Sequence, residues 1–348
     1  MGEDFYYFMK FALVFPLILL TSLSANTTPI TQAKFFRLLG IKPTESESAP
    51  FGGLNVVVKV HRALAKNQTK LEFEDEGIKD LKVFEMLVDL EWLRLSHNPI
   101  SDLKPLSNLT KLQVLSLYGV PYKRDKLEKI KDLGPLAELQ NLWSLALDEH
   151  QISDLSPLAN LTNLKDLYLT NNEISNVDKL ARLSSLKSLF LSNNRISDIS
   201  PLSNLKELEW LRLSSNLITS LWPLANHSKL EQLFIDNNKI INLAPIARLT
   251  QLKELRVANN QIKNLGSLSN FTNLKQLFID NNNIDDLSPL ANLKRLQVLS
   301  LANNQVEDLT PLMNMRSLQT LVVLGNPYED TQIVQLQRSL PKCQVVYR

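Results

Sequence analysis

Few residues of the chain have the types and spacing that covalent or metal chemistry needs. One Cys and 4 His among 348 residues exclude a disulfide framework and a Cys-ligated zinc or iron–sulfur site, because each needs several thiolates together. The sequence contains no G-x-S-x-G, H-E-x-x-H or P-loop motif. We therefore expect no enzymatic activity, no metal and no cofactor.

A second set of residues has a spacing suited to non-covalent recognition. Aromatic and Arg side chains recur every 22 residues, as Tyr168, Phe190, Arg212, Phe234, Arg256 and Phe278, and Trp210 lies two residues before Arg212. Aromatic and Arg side chains are enriched at the energetic centres of protein interfaces. Whether these residues form one surface depends on the elements that carry them.

A 22-residue repeat supplies those elements. The template L-x-x-L-x-L-x-x-N-x-I-x-x-L-x-P-L-x-x-L-x-x starts at residues 68, 90, 112, 142, 164, 186, 208, 230, 252, 274, 296 and 318. Every step is 22 residues except the one from 112 to 142, which is 30. Such a period predicts a leucine-rich repeat solenoid of the α/β class, in which each unit buries its apolar side chains only by stacking on its neighbours.

Positions within the unit predict the local structure. Apolar residues two apart, as in Leu167 and Leu169, point to one face of a short strand, so the third, fifth and seventh positions face outward. The Asn at the ninth position, such as Asn172, can satisfy buried backbone groups of the turn with its amide. The segment I-x-x-L-x-P-L is too short for an α-helix and predicts a turn or 3₁₀ segment.

The termini depart from the repeat. Residues 11–20 (FALVFPLILL) and the small residues that follow predict a secretory signal peptide over 1–25, with a start possible at Met9; an uncleaved anchor is the alternative. We expect a leader linker over 26–53, an N-terminal cap helix over 54–67, repeats over 68–327 with an 8-residue insertion near 121–130, and a C-terminal cap over 328–348. After signal cleavage we expect no stable membrane span.

The repeat text resembles a known family. Segments such as LSNNRISDISPLSNL and IDNNNIDDLSPLANL resemble the internalin-type leucine-rich repeats of bacterial secreted and surface proteins. A eukaryotic phosphatase regulator is similar. The resemblance implies a horseshoe whose concave face, formed by parallel strands, binds another protein, with turns or 3₁₀ segments on the convex face.

The recurring aromatic and Arg residues fall at the fifth position of six consecutive units, and Trp210 at the third. Because the core positions are already filled by Leu, Ile and Val, we expect the Phe side chains to face solvent and to mark a binding surface. Stacking that merely stabilises neighbouring strands is the alternative. Acidic neighbours should offset the Arg charge and add polar specificity; they are Asp166, Asp236, Glu254 and Asp280.

The insertion carries a cluster of basic residues, Lys123, Arg124, Lys126, Lys129 and Lys131. This cluster is a possible secondary site, and a tolerated surface insertion is the alternative. The ninth-position Asn is also missing here: His150 occupies the ninth position of the unit that starts at residue 142 and should form a similar turn hydrogen bond. We expect His97 and His227 to be solvent-exposed.

The net charge of +2 argues against nucleic acid as a partner. These observations predict an exported, monomeric scaffold, secreted or at the cell surface or periplasm, that recognises a partner protein through its concave face. Two alternatives stay open. One is a regulatory subunit that docks an enzyme such as a protein phosphatase, and the other is an envelope structural or carbohydrate-binding protein.

Overall fold

Thirteen parallel strands of three residues each form a single sheet in a computed structural model that describes residues 30–120 and 129–347. Each strand pairs only with its neighbours in sequence order. The strands are β1 (Lys70–Glu72), β2 (Trp92–Arg94), β3 (Val114–Ser116), β4 (Ser144–Ala146), β5 (Asp166–Tyr168), β6 (Ser188–Phe190), β7 (Trp210–Arg212), β8 (Gln232–Phe234), β9 (Glu254–Arg256), β10 (Gln276–Phe278), β11 (Val298–Ser300), β12 (Thr320–Val322) and β13 (Gln344–Val346). The predicted leucine-rich repeat solenoid is confirmed.

Short 3₁₀ segments lie on the convex side of the solenoid, between successive strands. They span Lys82–Phe84, Lys104–Leu106, Gly134–Leu136, Ser156–Leu158, Asp178–Arg182, Ser200–Asn204, Trp222–Leu224, Ala244–Ile246, Gly266–Leu268, Ser288–Leu290 and Thr310–Leu312. In most of them Pro occupies the first turn, where its missing N–H removes no helical hydrogen bond. The repeated Leu, Ile and Val side chains fill the space between the strands and these segments and are almost completely buried.

Asn side chains hold the turns of the regular repeats. The amide of Asn238 donates to the carbonyls of Leu213, Ile235 and Asp236 at 3.0–3.1 Å, and its Oδ1 accepts from the Ile218 N–H at 2.9 Å. The same pattern links Asn172, Asn194, Asn216, Asn260, Asn282, Asn304 and Asn326 to the preceding unit. The interpretation of the ninth position is therefore confirmed.

The eighth position of the repeat has a left-handed backbone that the sequence interpretation missed. It is occupied mostly by Asn, with φ between 53° and 57° at Asn171, Asn193, Asn237, Asn259, Asn281 and Asn303. Asn tolerates this conformation better than most residues with a Cβ. The recurring Asn-Asn pair thus serves two different purposes, conformation at the eighth position and hydrogen bonding at the ninth.

The segment before the repeats is more ordered than the leader linker expected over 26–53. Helices α1 (Gln32–Leu39) and α2 (Glu45–Ser48) precede the cap helix α3 (Leu54–Ala65). Phe35, Phe36 and Leu39 of α1 are buried, as is Phe51, which forms an antiparallel bridge with Ile78. The linker prediction is wrong for residues 30–53, because these apolar side chains cover the open end of the first repeat.

The other terminal segment contains α4 (Asp330–Ser339) and β13, which pairs with β12 and covers the last repeat. Residues 1–29 and 121–128 are not among the described residues, so the predicted signal peptide and most of the insertion lie outside them. Within residues 30–120 and 129–347, no helix has the length and apolar character needed to cross a membrane.

Candidate functional site

The sheet brings the fifth-position residues into one column. Strand register pairs Tyr168 with Phe190, Phe190 with Arg212, and Arg212 with Phe234. It then pairs Phe234 with Arg256 and Arg256 with Phe278. Six residues that are widely separated in sequence therefore form a row across β5–β10, about 24 Å long at about 4.8 Å per strand. We call this row the concave ladder.

Side chains of the concave ladder stack on one another. The rings of Tyr168 and Phe190 meet edge to face with centroids 4.9 Å apart. The Arg212 guanidinium carbon lies 4.4 Å from the Phe190 ring centre and 4.8 Å from that of Phe234. The Arg256 guanidinium carbon lies 4.5 Å from the Phe234 ring centre and 4.6 Å from that of Phe278. Both guanidinium groups are therefore sandwiched between rings in cation–π geometry.

This stacking changes how much of each side chain reaches solvent. Tyr168, Phe190, Arg256 and Phe278 are half-buried, whereas only 8% of Phe234 is exposed. The expectation that the Phe side chains face solvent is therefore wrong for Phe234, because the sequence interpretation considered the core beneath the column but not its neighbours along it. Trp210 is half-buried in the adjacent third-position column, between Ser188 and Gln232 in the register.

The acidic residues around the concave ladder already have partners. Glu254 binds Arg256 at 2.7 Å between Oε1 and Nε, which offsets the Arg charge as expected. Asp236 accepts from the Ala258 N–H at 2.7 Å, and Asp280 from the Ala302 N–H at 2.8 Å. These two carboxylates thus bind backbone N–H groups just beyond the next strand, so they also stabilise the packing of adjacent units.

Burial also alters the protonation of concave carboxylates. Desolvation raises the pKa values of Asp166 and Asp236 above the ordinary range, although Asp166 accepts a hydrogen bond from the Ser188 hydroxyl at 2.5 Å. Desolvation of Asp148, whose Oδ1 accepts from the Thr170 N–H at 2.8 Å, raises its pKa to about 7. The negative charge of this face therefore decreases as the pH falls towards and below neutrality.

His150 and its neighbours form the irregular junction after the insertion. The His150 Nε2 lies 2.6 Å from the Leu117 carbonyl oxygen, and its Nδ1 accepts from the Ile130 N–H at 3.4 Å. Burial lowers the His150 pKa to about 4, so the ring is neutral near pH 7. The predicted turn hydrogen bond is confirmed.

His97 and His227 have different environments from the one expected. His227 is fully buried, with its two ring nitrogens 3.2 Å and 3.1 Å from the carbonyl oxygens of Leu224 and Leu202. The prediction that it is exposed is wrong, because its position in the unit is usually Leu and points into the core. His97 is half-buried against the Tyr118 ring.

Only part of the predicted basic cluster is described. Lys123, Arg124 and Lys126 lie outside the described residues, whereas Lys131 is exposed and Lys129 is half-buried. Burial raises the pKa of Glu149, and the hydrogen bond from Asn171 and the charge of Lys129 offset part of this rise. Lys129 therefore faces a buried carboxylate of its own chain. In the described part of the chain, no group of three or more His, Cys, Asp or Glu side chains is arranged to hold a metal ion.

Comparison with protein families places this geometry in a class. The family described as Leucine Rich repeats (2 copies) matches residues 88–137, 162–204, 184–221, 250–292 and 294–337, which together exceed half of the chain. A crystal structure of an internalin from Listeria monocytogenes is 32% identical, with a TM-score of 0.75 over 80% of this chain and 79% of that one. The chain belongs to the leucine-rich repeat family and, within it, to the internalin-like proteins.

Two further similarities are weaker. A leucine-rich repeat protein from Leptospira interrogans shares the fold at 22% identity and a TM-score of 0.59, covering 82% of this chain and 92% of that one. The bovine leucine-rich repeat-containing protein 23 is 30% identical over 78 residues. That match covers 22% of this chain and 23% of the bovine protein, so the chain spans about a quarter of the length of this curated relative.

Proposed function

We propose that the protein is an exported binding scaffold whose concave ladder recognises a partner protein, such as a host or surface protein. One observation carries this proposal: six neighbouring strands present aromatic and Arg side chains in a continuous row on top of an already complete core. Leucine-rich repeat scaffolds act through such faces rather than by catalysis.

The stacking supports binding through preorganisation. Sandwiched Arg side chains and edge-packed rings have little rotamer freedom left to lose when a partner arrives. The alternative role of the stack, stabilisation of neighbouring strands, is therefore compatible with binding. Within the row, half-buried Tyr168, Phe190, Arg256 and Phe278, together with Trp210, offer contact area to a partner, whereas Arg212 and Phe234 position their neighbours.

The same stacking gives less support to carbohydrate binding. Sugars bind aromatic residues through the ring face. Phe234 lies between two guanidinium groups, and Phe190 lies between the Tyr168 ring and the Arg212 guanidinium. A protein partner that contacts ring edges and the half-buried ends of the row fits this geometry better.

Affinity capture with the exported protein tests the proposal. The test variant replaces the half-buried Tyr168, Trp210 and Phe278 by Ser, which avoids the more buried Phe234. The matched control replaces Val298 and Val322 by Ser, because these half-buried residues occupy the third and fifth positions of strands outside the ladder. Circular dichroism first establishes that both variants are folded. The partner is then identified by mass spectrometry of captured surface proteins.

We expect the wild type and the control to bind the same partner. The test variant should bind it with an affinity at least about tenfold lower, since a few central aromatic residues dominate such interfaces. Equal capture by the folded test variant would contradict the proposal.

Charge reversal at Lys126 and Lys129 examines the secondary basic site, where a contribution to binding would appear as a flatter salt dependence. Sequencing the N-terminus of the exported protein tests signal cleavage near residue 25.

A further inference from the structure

Three large apolar side chains are exposed outside the strands of two adjacent repeats, in the turns after β7 and β8 and at the start of the 3₁₀ segment Trp222–Leu224. Trp222 is 68% exposed, Ile241 63% and Leu217 44%. We call these residues the convex patch. The position of Trp222 is otherwise small or polar in described units, with Lys82, Lys104, Gly134, Ser156, Asp178, Ser200, Ala244, Gly266, Ser288 and Thr310. The repeat therefore does not need apolar residues here.

Backbone contacts between turns bring the convex patch together. The Lys239 N–H donates to the Ile218 carbonyl at 2.9 Å, so the turn that carries Leu217 lies directly against the turn that carries Ile241. Trp222 begins the 3₁₀ segment four residues after Ile218. The three residues thus lie in two adjacent turns, and Trp222 lies on the convex side, away from the strands that carry the concave ladder.

Acidic residues are missing from the same turns. In most units an Asp at the thirteenth position accepts the N–H two residues later, as Asp198 does from Ser200 and Asp286 from Ser288, both at 2.8 Å. Ser220 occupies the thirteenth position of the unit that carries Trp222. In the two following units, Asn242 and Asn264 make the same bond at 2.8 Å and 2.7 Å. The turn is therefore kept while its negative charge is removed.

Basic residues complete the electrostatic character of this surface. Lys239 is exposed and occupies, in the following unit, the same tenth position as Leu217. Lys263 is also exposed and occupies, one unit after Ile241, the same twelfth position. Lys263 also contacts Asp285 at 3.1 Å, but both members of this pair are well exposed and therefore weakly coupled. An apolar centre with basic neighbours and without Asp at the thirteenth position of its own units fits an anionic surface.

The size and shape of the convex patch indicate what kind of surface it contacts. Three side chains offer on the order of 300 Å², well below the roughly 800 Å² per partner of a stable protein interface. A convex projection also meets a flat surface more readily than it encloses a peptide. Trp favours the boundary between lipid and water, and each nearby Lys adds attraction to anionic lipids. We propose that the convex patch makes a peripheral contact with an anionic phospholipid bilayer.

Fluorescence quenching by brominated lipid tests this contact at the patch itself. Full-length protein is mixed with vesicles of brominated phosphatidylcholine, with or without about a third of phosphatidylglycerol, which supplies the negative charge. Because residues 11–20 are apolar and can bind lipid on their own, the readout is the quenching that disappears in a W222F variant. Two variants retain Trp222: L217Q/I241T removes the apolar neighbours, and K239Q/K263Q removes the charges. V88S/V334S is the control, since both of its sites are exposed and apolar but lie elsewhere.

We expect anionic vesicles to cause Trp222-dependent quenching. L217Q/I241T should reduce this quenching severalfold, and K239Q/K263Q should lower the affinity for anionic vesicles about tenfold. V88S/V334S should leave both unchanged. No Trp222-dependent quenching, or equal quenching in L217Q/I241T, would overturn the proposal. A concentration-dependent dimer that W222S abolishes, without quenching, would instead assign the patch to a second copy of the chain. The ladder variant Y168S/W210S/F278S should quench like the wild type, which separates this result from the fate of the concave-face proposal.

Discussion

The regular repeats from residue 164 onward and the irregular junction between residues 112 and 150 support the same kind of turn with different side chains. Asn238 makes four hydrogen bonds, two within its own turn and two to the preceding unit, whereas His150 makes two contacts at the junction. Beside His150, the buried Asp148 and Glu149 have raised pKa values. The fold therefore accepts another side chain in place of the ninth-position Asn, but the stability of this junction depends on pH in a way that an amide does not.

Removing the side-chain amide of a ninth-position Asn should have the largest effect on stability. Asn238→Ala leaves the Ile218 N–H and the Leu213 carbonyl without their side-chain partner. Each buried group without a partner costs about 1–3 kcal/mol, so we expect the free energy of unfolding to fall by about 3 kcal/mol in urea titrations. His150→Ala, measured beside it, should lose less. An equal or larger loss at His150 would contradict the comparison.

A side chain at Gly119 should be the next most damaging change. A Cβ built at Gly119 would lie 2.6 Å from the Glu149 carbonyl oxygen, which is a backbone atom. Because backbone must shift to relieve this contact, we expect Gly119→Ala to lower the free energy of unfolding by about 2 kcal/mol. Gly266→Ala is the control, since its Cβ would meet only the Asn264 side chain. Equal stability of the two variants would show that the junction yields easily.

The pH dependence of the junction should separate into two opposing parts. Folding raises the Asp148 pKa from 3.8 to about 7, so its contribution to stability is complete below about pH 4 and is lost as the pH rises through 7. Folding lowers the His150 pKa from 6.5 to about 4, so its contribution is present above pH 6.5 and is lost as the pH falls through 4.

We therefore expect Asp148→Asn to stabilise the protein at pH 8 by about 2 kcal/mol more than at pH 4. His150→Asn should leave a protein that gains stability on acidification from pH 7 to pH 4, relative to the wild type. Thermal unfolding across this range measures both effects. Parallel melting profiles for the wild type and both variants would show that these groups do not titrate with folding.

The smallest effects should come from the eighth position. Ser215 and Glu149 adopt left-handed backbones, with φ of 56° and 66°, where most other units have Asn. We expect Ser215→Asn to raise stability by about 0.5 kcal/mol and Glu149→Asn by about 1 kcal/mol, because the latter also removes a buried carboxylate. Melting temperatures of both variants provide the measurement. A loss of stability at Glu149 would mean that its contacts with Asn171 and Lys129 outweigh the backbone preference.

The repeat made most of the solenoid predictable from sequence. Each unit start gives the observed strand two residues later, as residue 164 does for Asp166–Tyr168, because the period fixes strand, turn and core positions together. The alignment of the fifth-position residues into the concave ladder also followed from the 22-residue period. Its stacking did not, since it depends on rotamers of neighbouring side chains. Helix α1 was missed because Phe35 and Phe36 pack against the end of the solenoid rather than within a repeat.

Exact strand register has an evolutionary consequence. Because every unit joins its neighbours through the same bonds, recombination that removes residues 208–229 would leave an intact series of turns. It would nevertheless delete Trp210 and Arg212 and set Phe190 directly beside Phe234. Gain or loss of one unit thus changes both the chemistry and the spacing of the concave ladder, in steps of about 4.8 Å. Copying or losing whole units can therefore alter the proposed binding face without point mutations that put the core at risk.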